Sequence, residues 1–348
     1  MASIQNYVFI IFFGGFIFAS LYFHFSYQQE EEEEEEMNDD KRIGVKISSI
    51  NETDEDVFGI QKIYPTKEEG QEWYMNMNDP LSDERFDPYN LLTMEDESLQ
   101  DSLFKIIRNK DNSWKMVPLT DYTRIRMNVM TIDGYNQSKI ETFDHSELAE
   151  KGYMQSRNDW KNIEMTGYIK LNKFDIDEEN GEFQWYNRGG KHYDSSYKNV
   201  ECEGVGYKGD LFFDGKTRFA KEQWHVSYDF VDKKDGSEKD LEKKWIGYKY
   251  IVYNVEDKKS GQTFVKMENW LDDDYGDGSN LGHSNWKKVY EYMDSGDWGK
   301  EGKECSGKKD QIITWGGPIA TFRWDDATNV DFKFLSVREI DPLIDIIK

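Results

Sequence analysis

The sequence predicts an all-β fold, a β-sandwich or jelly roll. Two observations carry that prediction. Apolar and polar residues alternate with period two over many short runs, and Gly, Asn and Asp punctuate them. Helical periodicity is scarce: only Leu99 to Ile107 and the stretch ending at Ile347 invite it. With 21 Tyr, 21 Phe and 11 Trp there is ample aromatic material for a core. No internal repeat of 20 to 50 residues is visible, which argues against a propeller or solenoid.

The N-terminus stands apart. YVFIIFFGGFIFASLYFHF, Tyr7 to Phe25, would span about 28 Å as a helix, close to the hydrocarbon thickness of a bilayer. It reads as an uncleaved transmembrane anchor within residues 1–27. A cleaved signal peptide is the other reading, although no Lys or Arg precedes the run. A block of seven glutamates, Glu30 to Glu36, opens an acidic stalk over residues 28–70, because like charges in a block stay solvated. Residues 71–348 form the jelly-roll domain, expected outside the cell.

Within that domain, WKNIEMTGYIKLN places Ile163, Met165, Ile169 and Leu171 on one strand face. Glu164, Thr166, Tyr168 and Lys170 occupy the other. EFQWYNRGG sets Phe183 and Trp185 opposite Gln184, Tyr186 and Arg188. KEQWHVSY reads as one strand with Trp224, Val226 and Tyr228 toward the core and Lys221, Gln223 and His225 on a polar face. DLFFDGKTRF is a hairpin turning at Asp214-Gly215. WIGYKYIVYN and QTFVKMENWLD add two strands, and TFRWDDATNVDFKFLSVREI supplies the last.

The net charge of −25 repels polyanions, and no basic tail offsets it, so nucleic acid is excluded as a partner. GVGYKG, from Gly204, matches a dinucleotide fingerprint, but a hairpin follows where the pyrophosphate needs a helix N-terminus. No serine-hydrolase, zincin or zinc-ribbon pattern occurs. No cofactor is expected. The acidic loops DIDEENGE, from Asp175, and DDDYGDG, from Asp272, are solvated turns or a structural calcium site. Cys202 and Cys305 form one disulfide or remain two thiols. Asn51-Glu52-Thr53 and Asn136-Gln137-Ser138 fit the N-glycosylation pattern.

The polar faces of three strands carry groups suited to sugars. Rings stack on pyranose C–H surfaces, while Arg, Lys and Gln hydrogen-bond hydroxyls and carboxylates. Tyr168, Lys170, Tyr186 and Lys221 are the candidate substrate contacts. The bland alternative is the solvated face of any antiparallel sheet.

Two stretches add a resemblance. Gln223-Trp224-His225 and YKYIVYN, Tyr248 to Asn254, resemble two cleft motifs of jelly-roll alginate lyases. The resemblance implies β-elimination on uronate polymers, with Tyr253 as acid/base, His225 and Gln223 assisting at the carboxylate or as base, Arg188 neutralising the carboxylate, and Lys249 sharing the strand face of Tyr253 as the family's Lys does. DFKFLSVREI resembles the closing strand of concanavalin-like jelly rolls, and Trp73 to Ile340 resembles a group of secreted archaeal β-proteins. The function expected is therefore polysaccharide depolymerisation, or non-catalytic carbohydrate binding or cell-surface structure.

Overall fold

Strand-forming runs recur along the chain because β-branched and aromatic residues alternate with polar ones between short turns. The computed structural model describes residues 55–90, 104–119, 124–136, 146–147, 152, 156–174, 181–191, 204–223, 228–237, 241–274, 285–302 and 306–342. The described residues all fall in one unit, Ile50–Ile346.

Among the described residues, sixteen strands follow in chain order. They are β1 (Glu72–Tyr74), β2 (Phe86–Asn90), β3 (Phe104–Arg108), β4 (Trp114–Pro118), β5 (Arg124–Met130) and β6 (Ile163–Phe174). Next come β7 (Glu182–Gly189), β8 (Gly206–Phe212), β9 (Lys216–Glu222), β10 (Tyr228–Phe230) and β11 (Lys234–Asp235). The last are β12 (Trp245–Glu256), β13 (Thr263–Asp272), β14 (Lys287–Asp294), β15 (Ile319–Asp325) and β16 (Ala327–Glu339). They build two eight-stranded sheets. The first is ordered β14-β13-β12-β6-β16-β4-β3, with β1 also on β16; the second is β10-β9-β8-β7-β15-β5-β2, with β11 also on β9. Every strand pair among the described residues is antiparallel.

The sheets face each other across one aromatic-rich core. Trp185 of the second sheet meets Tyr248 of the first at 4.5 Å between ring centroids, and Trp324 meets Phe332 at 6.2 Å. The alternation in β6 holds: Ile163, Met165, Ile169 and Leu171 point inward. The Asp214-Gly215 hairpin also holds, with Gly215 at φ 87° and its N–H on the Phe212 carbonyl at 2.9 Å.

Four expectations change. Phe104–Arg108, which overlaps the tempting helical segment Leu99 to Ile107, is a strand on the first sheet's edge. The final run is two strands in different sheets, because Asp326 takes a left-handed turn (φ 59°) between β15 and β16. KEQWHVSY is not one strand: β9 ends at Glu222 and β10 returns antiparallel, pairing Tyr228 with Glu222. Its faces are also reversed, since Lys221 lies between the sheets and Tyr228 lies on the outer face beside Lys208. Finally, folded structure begins before residue 71. Phe58, Ile60, Ile63 and Tyr64 are spaced to bury against the outer face of the first sheet, so the end of the acidic stretch is a packed strap.

The apolar run at 7–25, the glutamate block, His225, Cys202, Cys305 and most of both acidic loops lie outside the described residues. Among the described residues, no helix is long and apolar enough to cross a membrane.

Candidate functional site

The expected site residues are distributed over three separate surfaces. Tyr168, Lys170, Lys249 and Tyr253 stand on the outer face of the first sheet. There Glu164 accepts from Lys249 Nζ at 2.6 Å and pairs with Arg338 at 2.9 Å. It also accepts the Ile63 backbone N–H of the strap at 3.1 Å. Burial alone would raise the Glu164 carboxyl, but Arg338 and Lys249 outweigh it and hold it at about 2. Tyr253 donates to Glu268 at 3.1 Å and lies 3.2 Å from the Tyr64 hydroxyl. Burial and then the Glu268 charge push its phenol far above the ordinary value, the wrong direction for a base at neutral pH. Tyr168 donates to Asp272 at 2.9 Å. This part of the sheet is closed by the strap.

Arg188, Lys221 and Gln223 lie between the sheets. Arg188 takes a left-handed backbone (φ 78°) at a β-bulge opposite Ile319 and Ala320, and this turns it inward rather than onto the face with Tyr186. Its guanidinium donates to the carbonyls of Ile313 and Lys161 and rests over the Tyr207 ring at 5.7 Å. Burial draws its pKa down to about 10. Lys221 pairs with Asp294 at 2.6 Å, and Tyr207 donates to the same carboxylate at 2.5 Å. Gln223 donates to the carbonyl of Lys308 at 2.9 Å. The lyase arrangement therefore does not assemble from Tyr253, Arg188, Gln223 and Lys249, because the sandwich core separates them.

Among the described site residues, Tyr186 is the one left on the outer face of the second sheet, and the register shows what surrounds it. One rung across the strands runs Asp87, Asn128, Thr321, Tyr186, Lys208, Ala220 and Phe230. The next runs Tyr89, Arg126, Arg323, Gln184, Asp210 and Arg218. Directly opposed residues share a face, so these side chains form a continuous polar ladder.

The second rung is tied from Arg126 to Arg218. Arg126 reaches Asp325 at 2.6 Å, and Asp325 also holds Arg323 at 2.5 Å. Arg323 donates to Gln184 at 2.6 Å, and Gln184 donates to Asp210 at 2.8 Å. Arg218 closes the chain on Asp210 at 2.6 Å and Glu182 at 3.2 Å. Burial would raise the Asp325 carboxyl, but its two arginines hold it well below the usual range. For Glu182, burial and then neighbouring Asp210 win over Arg218 and Arg323, and its carboxyl is pushed up to about 8. Aromatic rings flank the ladder. The Arg218 guanidinium lies 4.8 Å from the Phe212 ring and 4.1 Å from Phe230, which is 46% exposed. Lys208 packs on the rings of Tyr228 and Tyr186 at 4.4 and 5.0 Å and pairs with Glu222 at 2.6 Å.

Sequence reasoning found Gln184 and Tyr186 but missed Arg126, Arg323, Arg218, Lys208, Asp210 and Phe230. The signal was there in RIRMNVM, which alternates as strictly as the runs that were read as strands. Among the described residues no group of three or more His, Cys, Asp or Glu gathers as a metal site. Asp273 and Asp274, at the start of the second acidic loop, pair with Lys287 at 3.4 and 3.6 Å.

No protein-family model matches the chain, and no curated protein matches it in sequence. Among solved structures it is similar to a protein of unknown function with a galectin-like fold from Bacillus subtilis. That match has 10% identity over 80% of this chain and 100% of the other, with a TM-score of 0.42. It is also similar to the Ca2+-bound exoplasmic/lumenal domain of VIP36, at 9% identity, 77% and 88% coverage and a TM-score of 0.40. A third is the carbohydrate binding module CBM66 from Bacillus subtilis, at 8% identity, 72% and 94% coverage and a TM-score of 0.33. Likeness at this level assigns nothing to this chain, whose class rests on its own register. It is an antiparallel two-sheet β-sandwich of jelly-roll type. One outer face is partly covered by a strap, and the other carries an arginine-rich ladder whose Arg126, Gln184, Lys208 and Asp210 are buried, with Arg218 partly exposed and Phe230 exposed at its end.

Proposed function

We propose that the protein is a non-catalytic carbohydrate-binding module that holds a glycan at the exposed Arg218–Phe230 end of the second sheet's outer face. The observation that carries this reading is the Arg218–Phe230 pair at the end of the ladder. An aromatic ring 46% exposed sits 4.1 Å from a guanidinium that is itself fixed by Asp210. A ring of this kind offers a stacking surface for a pyranose, and charged donors and acceptors beside it bind hydroxyls. The fixed rotamers lower the entropy that binding would cost. The ladder's carboxylates and guanidiniums are paired with each other, so its fit is to a neutral sugar. The apolar run and the glutamate block support placing this domain outside the cell behind a membrane anchor.

The test is retention of the full chain on a panel of neutral polysaccharides, with Phe230→Ala and Arg218→Ala beside it. Loss of the stacked ring should weaken binding by about 1–3 kcal/mol, the range for a well-used aromatic contact. Binding unchanged in both variants removes this face as the site. Ultraviolet absorbance of unsaturated chain ends growing on uronate polymers would overturn the non-catalytic reading.

A further inference from the structure

Lys221 on β9 of the second sheet and Asp294 at the end of β14 of the first meet inside the sandwich, and both side chains are fully buried. Lys221 Nζ lies 2.6 Å from Asp294 Oδ2 and donates to the Trp298 carbonyl, also at 2.6 Å. The rings of Trp298 and Tyr207 stand 5.6 and 5.8 Å from the ammonium. Phe219 of β9 and Tyr290 of β14 pack across the same two strands, with ring centroids 5.0 Å apart.

The two oxygens of Asp294 are held differently. Oδ1 accepts the Gly296 backbone N–H at 3.1 Å, whereas Oδ2 accepts the Tyr207 hydroxyl at 2.5 Å as well as Lys221. One oxygen thus faces a backbone donor, as an oxyanion does in acyl transfer. The other faces a nitrogen and an O–H donor, as a leaving group does. Burial pushes the Lys221 pKa below its ordinary value, against the pull of Asp294, which favours the nucleophilic amine. Glu164 is the contrast. It too meets a buried lysine at 2.6 Å, but Arg338 holds its second oxygen and keeps the carboxylate ionised.

We propose that Lys221 and Asp294 become joined by an amide bond, a covalent modification that ties the two sheets together. The step is a condensation. Lys221 Nζ gives a proton to Oδ2 and attacks Cγ; the N–C bond forms and the Cγ–Oδ2 bond breaks. Tyr207 donates to the departing oxygen and recovers a proton from the nitrogen, so Oδ2 leaves as water carrying the equivalent of the two protons lost by the ammonium. The Gly296 N–H steadies the charge on Oδ1 in the tetrahedral intermediate. Nothing is oxidised or reduced, and no further reactant enters. Holding both groups in place replaces the entropy of a bimolecular encounter. The apolar surroundings favour products without charge, because a buried ion pair only narrowly repays its desolvation.

The experiment is mass spectrometry of the full chain, denatured and reduced, both intact and after proteolysis. Expected is a mass one water below that of the sequence, and a branched peptide joining Lys221 to Asp294. Lys221→Arg keeps a cation in place but cannot form this bond, so that chain should have the full mass of its sequence. Tyr207→Phe should leave part of the chain unbonded, with the bonded share growing on incubation. Separate, unmodified Lys221 and Asp294 peptides from the native chain overturn the inference, and this readout needs no variant to fold. A water loss traced to a succinimide at an Asp-Gly pair such as Asp214-Gly215, or to Lys249 and Glu164, overturns it as well. Complete bonding in Tyr207→Phe overturns the part given to Tyr207. Glycan retention is read separately, so the bond and the carbohydrate-binding reading stand or fall independently.

Discussion

Replacing Glu164 by Gln tests how the strap is held to the first sheet. The carboxylate sits at 0% side-chain exposure between Lys249 at 2.6 Å and Arg338 at 2.9 Å, and it also accepts from the strap backbone at Ile63 and Tyr64. Gln preserves the shape but leaves two buried cations facing a neutral amide. Breaking a buried ion network in this way costs about 3–5 kcal/mol. Linkage supplies an independent figure. The carboxyl is held at about 2 against an ordinary value of 4.5, a depression worth on the order of 3 kcal/mol. A depressed carboxyl contributes stability that is present above the unfolded value and lost as pH falls. The wild type should therefore weaken between roughly pH 4.5 and 2 through this group. Urea unfolding followed by tryptophan fluorescence reads both effects. The variant should lose about 3–4 kcal/mol at pH 7 and show a shallower acid dependence. A loss below about 1 kcal/mol with an unchanged acid limb would refute the reasoning, showing that the triad's desolvation cost cancels its attraction.

Two further changes probe other parts of the fold. Glu182, pushed up to about 8 from the ordinary 4.5, is a raised carboxyl, so its favourable contribution is present below about 4.5 and is lost as pH rises through 8. Glu182→Gln should flatten the fall in stability over that window, seen as a smaller drop in melting temperature between pH 5 and pH 8; an identical pH profile would contradict the assignment. Gly209→Ala should destabilise by about 1–3 kcal/mol through overpacking, because a Cβ there meets Tyr250, Asn269 and the Tyr248 hydroxyl at 2.5, 2.6 and 2.8 Å. A neutral effect in thermal unfolding would show that the two sheets separate to accept a methyl group.

Much of this architecture was legible in the chain. Period-two alternation identified the strand at Ile163–Phe174 and its two faces, and Asp214-Gly215 identified a hairpin, because both signals are local. Alternation divides a strand into two faces but does not say which one meets the other sheet. Lys221 shows the difficulty. A lysine reads as solvent-facing, yet it is buried between the sheets because Asp294, 73 residues away, and the Trp298 carbonyl meet its ammonium at 2.6 Å. Arg188 was assigned to the face of Tyr186, and a left-handed backbone at one bulge sent it to the other side.

The sequence by itself determined the all-β class, the main strands of the sandwich core and the acidic character of the molecule, all of which depend on residue type and near-neighbour spacing. Only tertiary structure decided that Glu164, Lys249 and Tyr253 lie under a strap while Arg126, Arg323, Gln184, Asp210 and Arg218 align in one rung. Those five belong to five strands spread from β5 to β15, and their alignment depends on the order and register in which distant strands hydrogen-bond. No local pattern encodes that register, because it is set by the packing of the whole core.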